Sequence, residues 1–170
     1  KRFYQRSCCM SLSYNITRIY PSSYEPHSIS GITLMSAHTI TAIETTAIIR
    51  EFKPAMVVRG AKNIHDTSLF LFVRVILENG IAGYGEVSGT LNWSGEDATT
   101  ADPIIREKIA PLLIGKSLTD FSTLLSSIEL ALNGNYFTKA GVEMALWDAL
   151  GKCEDKPVYS LLGGKKRDDI

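Results

Sequence analysis

Surplus charge of either sign is missing from this sequence: its 18 basic and 18 acidic side chains cancel to a formal net charge of zero. A neutral chain offers no basic stripe to nucleic acid and no polybasic segment to an anionic membrane, so neither partner is expected. Long apolar runs are missing too, and none approaches the roughly eighteen residues that a spanning helix needs. Cysteine is scarce, with only three: Cys8, Cys9 and Cys153. An odd count with two adjacent members suits neither a disulfide framework nor a zinc site. Free thiols in a reducing compartment are the simplest reading, and a cytoplasmic location is the expectation. Familiar chemical motifs are absent as well: there is no Gly-x-Ser-x-Gly elbow, no His-Glu-x-x-His and no Cys-x-x-Cys. Gly83-Tyr84-Gly85-Glu86 lacks a third glycine and leads into a loop, so it is not a dinucleotide turn.

What is present is ordinary globular material, 45% hydrophobic and 21% charged, in a length of 170 residues that suits one domain with a tail. The tail is at the front. Residues 1–38 are rich in Ser and Tyr, carry Pro21 and Pro26, and show no sustained period. Lys1, Arg2, Arg6 and Arg18 face one acid there, Glu25. A basic, Ser-rich leader without an apolar core is not a secretory signal, although it has the composition of a transit peptide. The expectation preferred here is an unstructured or non-native extension, with Met35 as the native start.

Thr41 to Phe52 alternates. Ile43, Thr45, Ala47 and Ile49 share one face while Glu44, Thr46, Ile48 and Arg50 share the other, which predicts a half-buried strand. From Pro54 to Thr67 no period holds, and a long irregular connection is commonly functional or mobile. His65 beside Asp66 raises a metal or acid–base pair, but adjacent loop residues are weak support. Leu69 to Leu77 is the strongest strand. Asn79-Gly80 then predicts a type I′ hairpin turn, and Ile81 to Val87 returns, with Gly83 and Gly85 marking a bulge or a close backbone approach. The three strands read as an antiparallel meander. Leu69, Leu71, Val73, Val75 and Leu77 line one face of the middle strand. Phe70, Phe72 and Ile76 line the other, broken by Arg74, and an apolar second face calls for a second covering layer. Ser88 to Asp97 is another irregular loop, with Trp93 in it.

Helices follow. Asp102-Pro103 predicts a start, with Pro at the first helical position, and Pro111 a bend or stop. Ser117-x-x-Asp120 has the form of a capping box before Phe121, Leu124, Leu125, Ile128 and Leu132, and Asn133-Gly134 closes that helix. The last long helix, from Tyr136 to about Glu154, places Val142, Ala145, Leu146, Ala149 and Leu150 on one stripe. Asp148 and Lys152 pair four residues apart. Pro157 suits the opening of a short helix that Gly163-Gly164 stops.

The run Ala140-Gly-Val-Glu-Met-Ala-Leu-Trp-Asp-Ala-Leu-Gly-Lys152, then Lys156-Pro-Val-Tyr-Ser-Leu-Leu-Gly-Gly164 and Arg167-Asp168, resembles the end of the N-terminal capping domain of the mandelate racemase/muconate lactonizing enzyme family, in the enolase superfamily. Gly83-Tyr-Gly-Glu86 after an Asn-Gly hairpin is similar to that family's third strand. The resemblance covers about residues 40–170. It implies an α+β fold, a three-stranded antiparallel meander followed by a helical bundle, seated over a (β/α)-barrel. It implies residues 39–164 as the capping domain and residues 165–170 as the start of the barrel. It further implies Mg²⁺ on three barrel acids and a barrel base that removes the proton α to a carboxylate, the metal stabilising the enediolate. Racemases, epimerases, cycloisomerases and dehydratases all share that step. The sequence stops where the barrel would begin. No catalytic or metal residue and no cofactor is therefore assigned within it, and Mg²⁺ is expected only in the full-length enzyme. The resemblance places the family's two specificity loops at 54–67 and 88–97, with Arg59, Lys62, His65, Asn92 and Trp93 as substrate-facing candidates for a small carboxylate. A homo-oligomer is expected at full length. The rival reading is a free-standing α+β binding or oligomerisation module, in which every apolar face would be covered from within.

Overall fold

The computed structural model describes residues 38–61 and 64–168. The expectations for residues 1–37, Met35 among them, lie outside the described residues, as does Lys62. Strand β1 (Ile40–Glu51) pairs antiparallel with β4 (Thr67–Leu77), which pairs antiparallel with β5 (Ala82–Val87), giving sheet order β1-β4-β5. Between β1 and β4 stand a one-turn 3₁₀ helix (Pro54–Met56) and a small ribbon of β2 (Val58–Arg59) and β3 (Ile64–His65). After β5 come α1 (Leu91–Ser94), α2 (Ala98–Ile104), a π-helical turn (Ile105–Ile109), α3 (Ala110–Leu113), α4 (Phe121–Ala131), α5 (Tyr136–Cys153) and α6 (Val158–Leu161). This is the expected α+β meander with helices following it. Among the described residues no helix is long and apolar enough to cross a membrane.

The core lies between one face of the sheet and the helices. Leu71, Val73, Val75 and Leu77 on β4 meet Val142, Ala145, Leu146 and Ala149 on α5, all at most 1% exposed. The expected stripe on α5 holds except at Leu150, which is only half-buried. Backbone contact sets how close α5 comes. A Cβ on Gly83 would stand 2.1 Å from the Ala145 carbonyl oxygen, and one on Gly85 would stand 2.0 Å from that of Gly141. The two strand glycines thus mark a close approach: bare backbone on β5 lets the helix rest on the strand itself. The Asp148–Lys152 pair, 2.6 Å apart, then covers the open edge of β5. Asp148 accepts from the Tyr84 amide at 2.8 Å and Lys152 donates to the Ala82 carbonyl at 2.8 Å, so two edge groups that pair with no strand among the described residues are satisfied.

Three local expectations are corrected. The hairpin after β4 is not type I′, because Gly80 has φ +82° while Asn79 is not in the positive-φ region. The Gly80 amide donates to the Leu77 carbonyl and the Leu77 amide to Ile81, the pattern of a three-residue loop whose last residue is left-handed. Second, the helix expected at Asp102 starts at Ala98. Asp97 caps it, accepting from the Thr99 and Thr100 amides, and the Thr100 hydroxyl accepts in turn from the Asp97 amide. Pro103 therefore lies inside α2, and Asp102 holds Thr45 of β1 and pairs with Arg106. The π turn that follows leads into Pro111, which has no amide to donate and whose ring would crowd the carbonyl four residues back in regular α-helix. Third, Ser117 caps only a 3₁₀ turn through the Thr119 amide, and Asp120 makes no side-chain cap bond, so the reciprocal box does not form.

The helices cover one face of the sheet. On the other, Ile48 and Phe72 are each 37% exposed. Arg74 donates to Glu44 at 3.0 Å across that face, and this hydrogen bond raises the guanidinium pKa against the pull of partial desolvation. A groove there is lined by Ile48, Arg50, Phe70, Phe72 and Glu86.

Candidate functional site

Strand register places both irregular segments at one end of the sheet. Val87 at the end of β5 stands opposite Leu71, while β1 and β4 run on together to Glu51 and Thr67. The connection between β1 and β4 and the loop after β5 therefore leave in the same direction, the first from a hairpin that projects beyond β5. The start of α5 lies at this end too, since Gly141 sits against Glu86 and Val87, and Ala149 against Gly83.

The first segment is lightly built. The Phe52 amide donates to the Asp66 carbonyl at 2.7 Å, which continues the hairpin by one rung. Val58 then pairs with His65 and Arg59 with Ile64. Arg59 is exposed and His65 half-buried. The His65 ring meets Phe52 edge-on at 5.1 Å, and the Asp66 carboxylate accepts from the Thr67 hydroxyl at 2.9 Å. Neighbours in sequence, His65 and Asp66 each engage another residue, so no acid–base pair forms between them.

The second segment is firmly built. Asn92 and Trp93 ride on α1, both exposed, with Trp93 at 81%. The Trp93 ring lies edge-to-face against Phe137 of α5, with centroids 6.1 Å apart. Beneath it Glu96 is only 6% exposed. Its carboxylate accepts from the Phe137 amide at 3.2 Å and from the Thr138 amide and hydroxyl at 2.9 and 2.7 Å. Sequence reading missed both Glu96 and Phe137. The signal was there: the residue before α5, Asn135, is left-handed with φ 55° and makes no side-chain cap, so the first amides of a long helix needed an acceptor from elsewhere.

The structure thus gathers the candidates as two groups, Arg59 with His65 and Asn92 with Trp93, at one end of the sheet. Glu143, Asp148 and Lys152 on α5 have structural partners: Glu143 accepts from the Trp147 indole at 3.1 Å, and the other two hold the β5 edge. Among the described residues no group of three or more His, Cys, Asp or Glu stands placed to hold a metal ion.

Residues 42–163 match the family model for the mandelate racemase / muconate lactonizing enzyme N-terminal domain. The chloromuconate cycloisomerase of Cupriavidus pinatubonensis is 39% identical over 113 residues, 65% of this chain and 29% of that protein. The L-Ala-D/L-Glu epimerase of Bacillus subtilis is 36% identical over 98 residues, 58% of this chain and 27% of that protein. Among solved structures, the muconate lactonizing enzyme of Pseudomonas fluorescens, complexed with muconolactone, superposes with TM-score 0.70 and 33% identity over 78% of this chain and 36% of that one. The chain spans less than a third of the length of these two curated relatives. It belongs to the mandelate racemase / muconate lactonizing enzyme family, through that family's N-terminal domain.

Proposed function

We propose that residues 39–164 are the capping, specificity-setting domain of a Mg²⁺-dependent enolase-superfamily enzyme that removes the proton α to a carboxylate. The observation that carries this reading is the shared direction of the two irregular segments, in a fold whose relatives are cycloisomerases and epimerases. Exposed Arg59 supplies a planar cationic fork suited to a carboxylate, and Lys62 a further positive charge. His65, Asn92 and Trp93 add donors and an apolar edge. Base and Mg²⁺ belong to a barrel that this reading requires, of which residues 165–170 would be the first, and no step of the chemistry is placed on the residues described here. Relatives named for muconates and for an Ala-Glu dipeptide point to a small carboxylate as substrate. A reducing, cytoplasmic setting and a homo-oligomeric full-length enzyme complete the reading.

The test is proton exchange. The cap-plus-barrel protein, with Mg²⁺ in D₂O, is offered cis,cis-muconate, chloromuconates and Ala-Glu dipeptides. Solvent deuterium should enter the α position of at least one compound or of its product. No exchange into any of them, from folded and Mg²⁺-loaded protein, would overturn the reading. Calorimetric titration of Mg²⁺ into residues 1–170 should show no stoichiometric site, and a tight one-to-one isotherm would place the metal on the wrong domain.

A further inference from the structure

The outer face of the sheet carries more than uncovered apolar surface, because strand register sets its side chains in rows. Glu44 faces Arg74, and those two already pair at 3.0 Å. Thr46 faces Phe72, Ile48 faces Phe70, and Arg50, near the end of β1, faces Ser68. On the other side of β4, Glu86 faces Phe72. Arg50 is exposed and Glu86 half-buried, and among the described residues neither joins an ion pair. Two unpaired charges of opposite sign thus flank Ile48, Phe70 and Phe72 from opposite sides of one groove. Phe70 lies midway between the charges: it stands between Ser68 and Phe72 on β4, and β4 lies between β1 and β5. Consider a two-fold axis over Phe70, in the plane between two copies and perpendicular to the line from Arg50 to Glu86. It carries Arg50 onto Glu86 and Glu86 onto Arg50, as a self-complementary interface requires. With strands about 4.8 Å apart and residues about 3.4 Å apart along them, the same rotation lays Phe72 over the partner's Ile48 and Phe70 over the partner's Phe70. The strands of the two sheets then cross steeply, one of the ways in which sheets stack.

We propose that the outer face is where two copies of this chain meet, with Phe70 at the two-fold axis and an Arg50–Glu86 pair on each side of it. Burial of Ile48, Phe70 and Phe72 supplies the attraction. The charge pairs at the rim fix the register and disfavour wrong partners. Few side chains take part, so the contact belongs with the small, reversible interfaces. It forms at high chain concentration and is lost on dilution. The proposal rests on the homo-oligomeric part of the reading above, to which it gives a surface, and it uses no residue of the loop end.

The test is sedimentation velocity of the full chain over a range of concentrations. The mass should rise from one chain towards two as concentration increases. R50E sets a carboxylate against Glu86 and E86R sets a guanidinium against Arg50, twice in each dimer. Each variant alone should therefore need a concentration on the order of tenfold or more higher to associate. Mixed in equal amounts, the two should associate as readily as the unaltered chain, because R50E supplies both acids and E86R both cations. Circular dichroism should be the same for all three chains; should E86R lose the fold, E86K takes its place in the mixture. A chain that stays monomeric at every concentration, its outer face left bare or covered by another part of the chain, overturns the proposal. So does association that R50E leaves unchanged, or a mixture no more associated than its components. Absence of α-proton exchange overturns the enzyme reading and leaves these masses as they are, so the two failures are distinguishable.

Discussion

The two faces of the sheet are written in the same apolar alphabet and end in different states. On the inner face Leu71, Val73, Val75 and Leu77 are at most 1% exposed. On the outer face Phe72 and Ile48 keep 37% of their surface in water and Arg74 pairs with Glu44. Alternation alone does not make this difference. Gly83 and Gly85 admit α5 to the inner face at backbone distance, whereas among the described residues the outer face has no such seat and no helix on it. An apolar pattern names a face that wants covering; close-approach glycines say where the covering element goes.

The comparison breaks most visibly at the seam. Gly85→Ala places a methyl 2.0 Å from the Gly141 carbonyl oxygen, and rigid backbone on both sides cannot give way cheaply. A loss of about 3 kcal/mol or more is expected in denaturant unfolding; a loss under about 1 kcal/mol would mean α5 is not seated on β5. Leu146→Ala, fully buried on the same seam, should cost about 2–5 kcal/mol by the same measurement. On the other face Phe72→Ser should cost less than about 1 kcal/mol, and a core-sized loss would show that face covered in solution. The smallest effect concerns pH. Burial raises the Cys153 thiol above its usual 9.0, while a hydrogen bond from Asn79 opposes it. The folded state therefore disfavours the thiolate. The stability this group contributes is full below pH 9 and declines as pH rises from there through the folded-state value. Cys153→Ala should flatten that small alkaline slope in thermal melts between pH 8 and 10.

Much of the fold was legible because single periods carry it. The α5 stripe of Val142, Ala145, Leu146 and Ala149 and the alternation of β4 each specify one element and one face. Errors fell where two local rules competed. Asp102-Pro103 looks like a helix start, but Asp97 with Thr100 offers a full reciprocal cap, and the helix begins there. Asn-Gly favours type I′, yet the three-residue alternative needs a left-handed residue only at Gly80. The two irregular segments were legible, since the loss of period marked both, and strand register then sets them at one end of the sheet. Glu96 was not, because its partners are 41 and 42 residues away and its role depends on a cap that Asn135 does not supply.

The central claim is that the loop end of this domain, and not its bare outer face, meets the substrate. Steady-state kinetics of Trp93→Ala beside Phe72→Ser in the cap-plus-barrel protein tests it most directly. Trp93→Ala should raise KM on the order of tenfold or more with kcat little changed, while Phe72→Ser leaves both where they were. Equal kinetics for the two variants, or a KM change at Phe72 alone, would contradict the account.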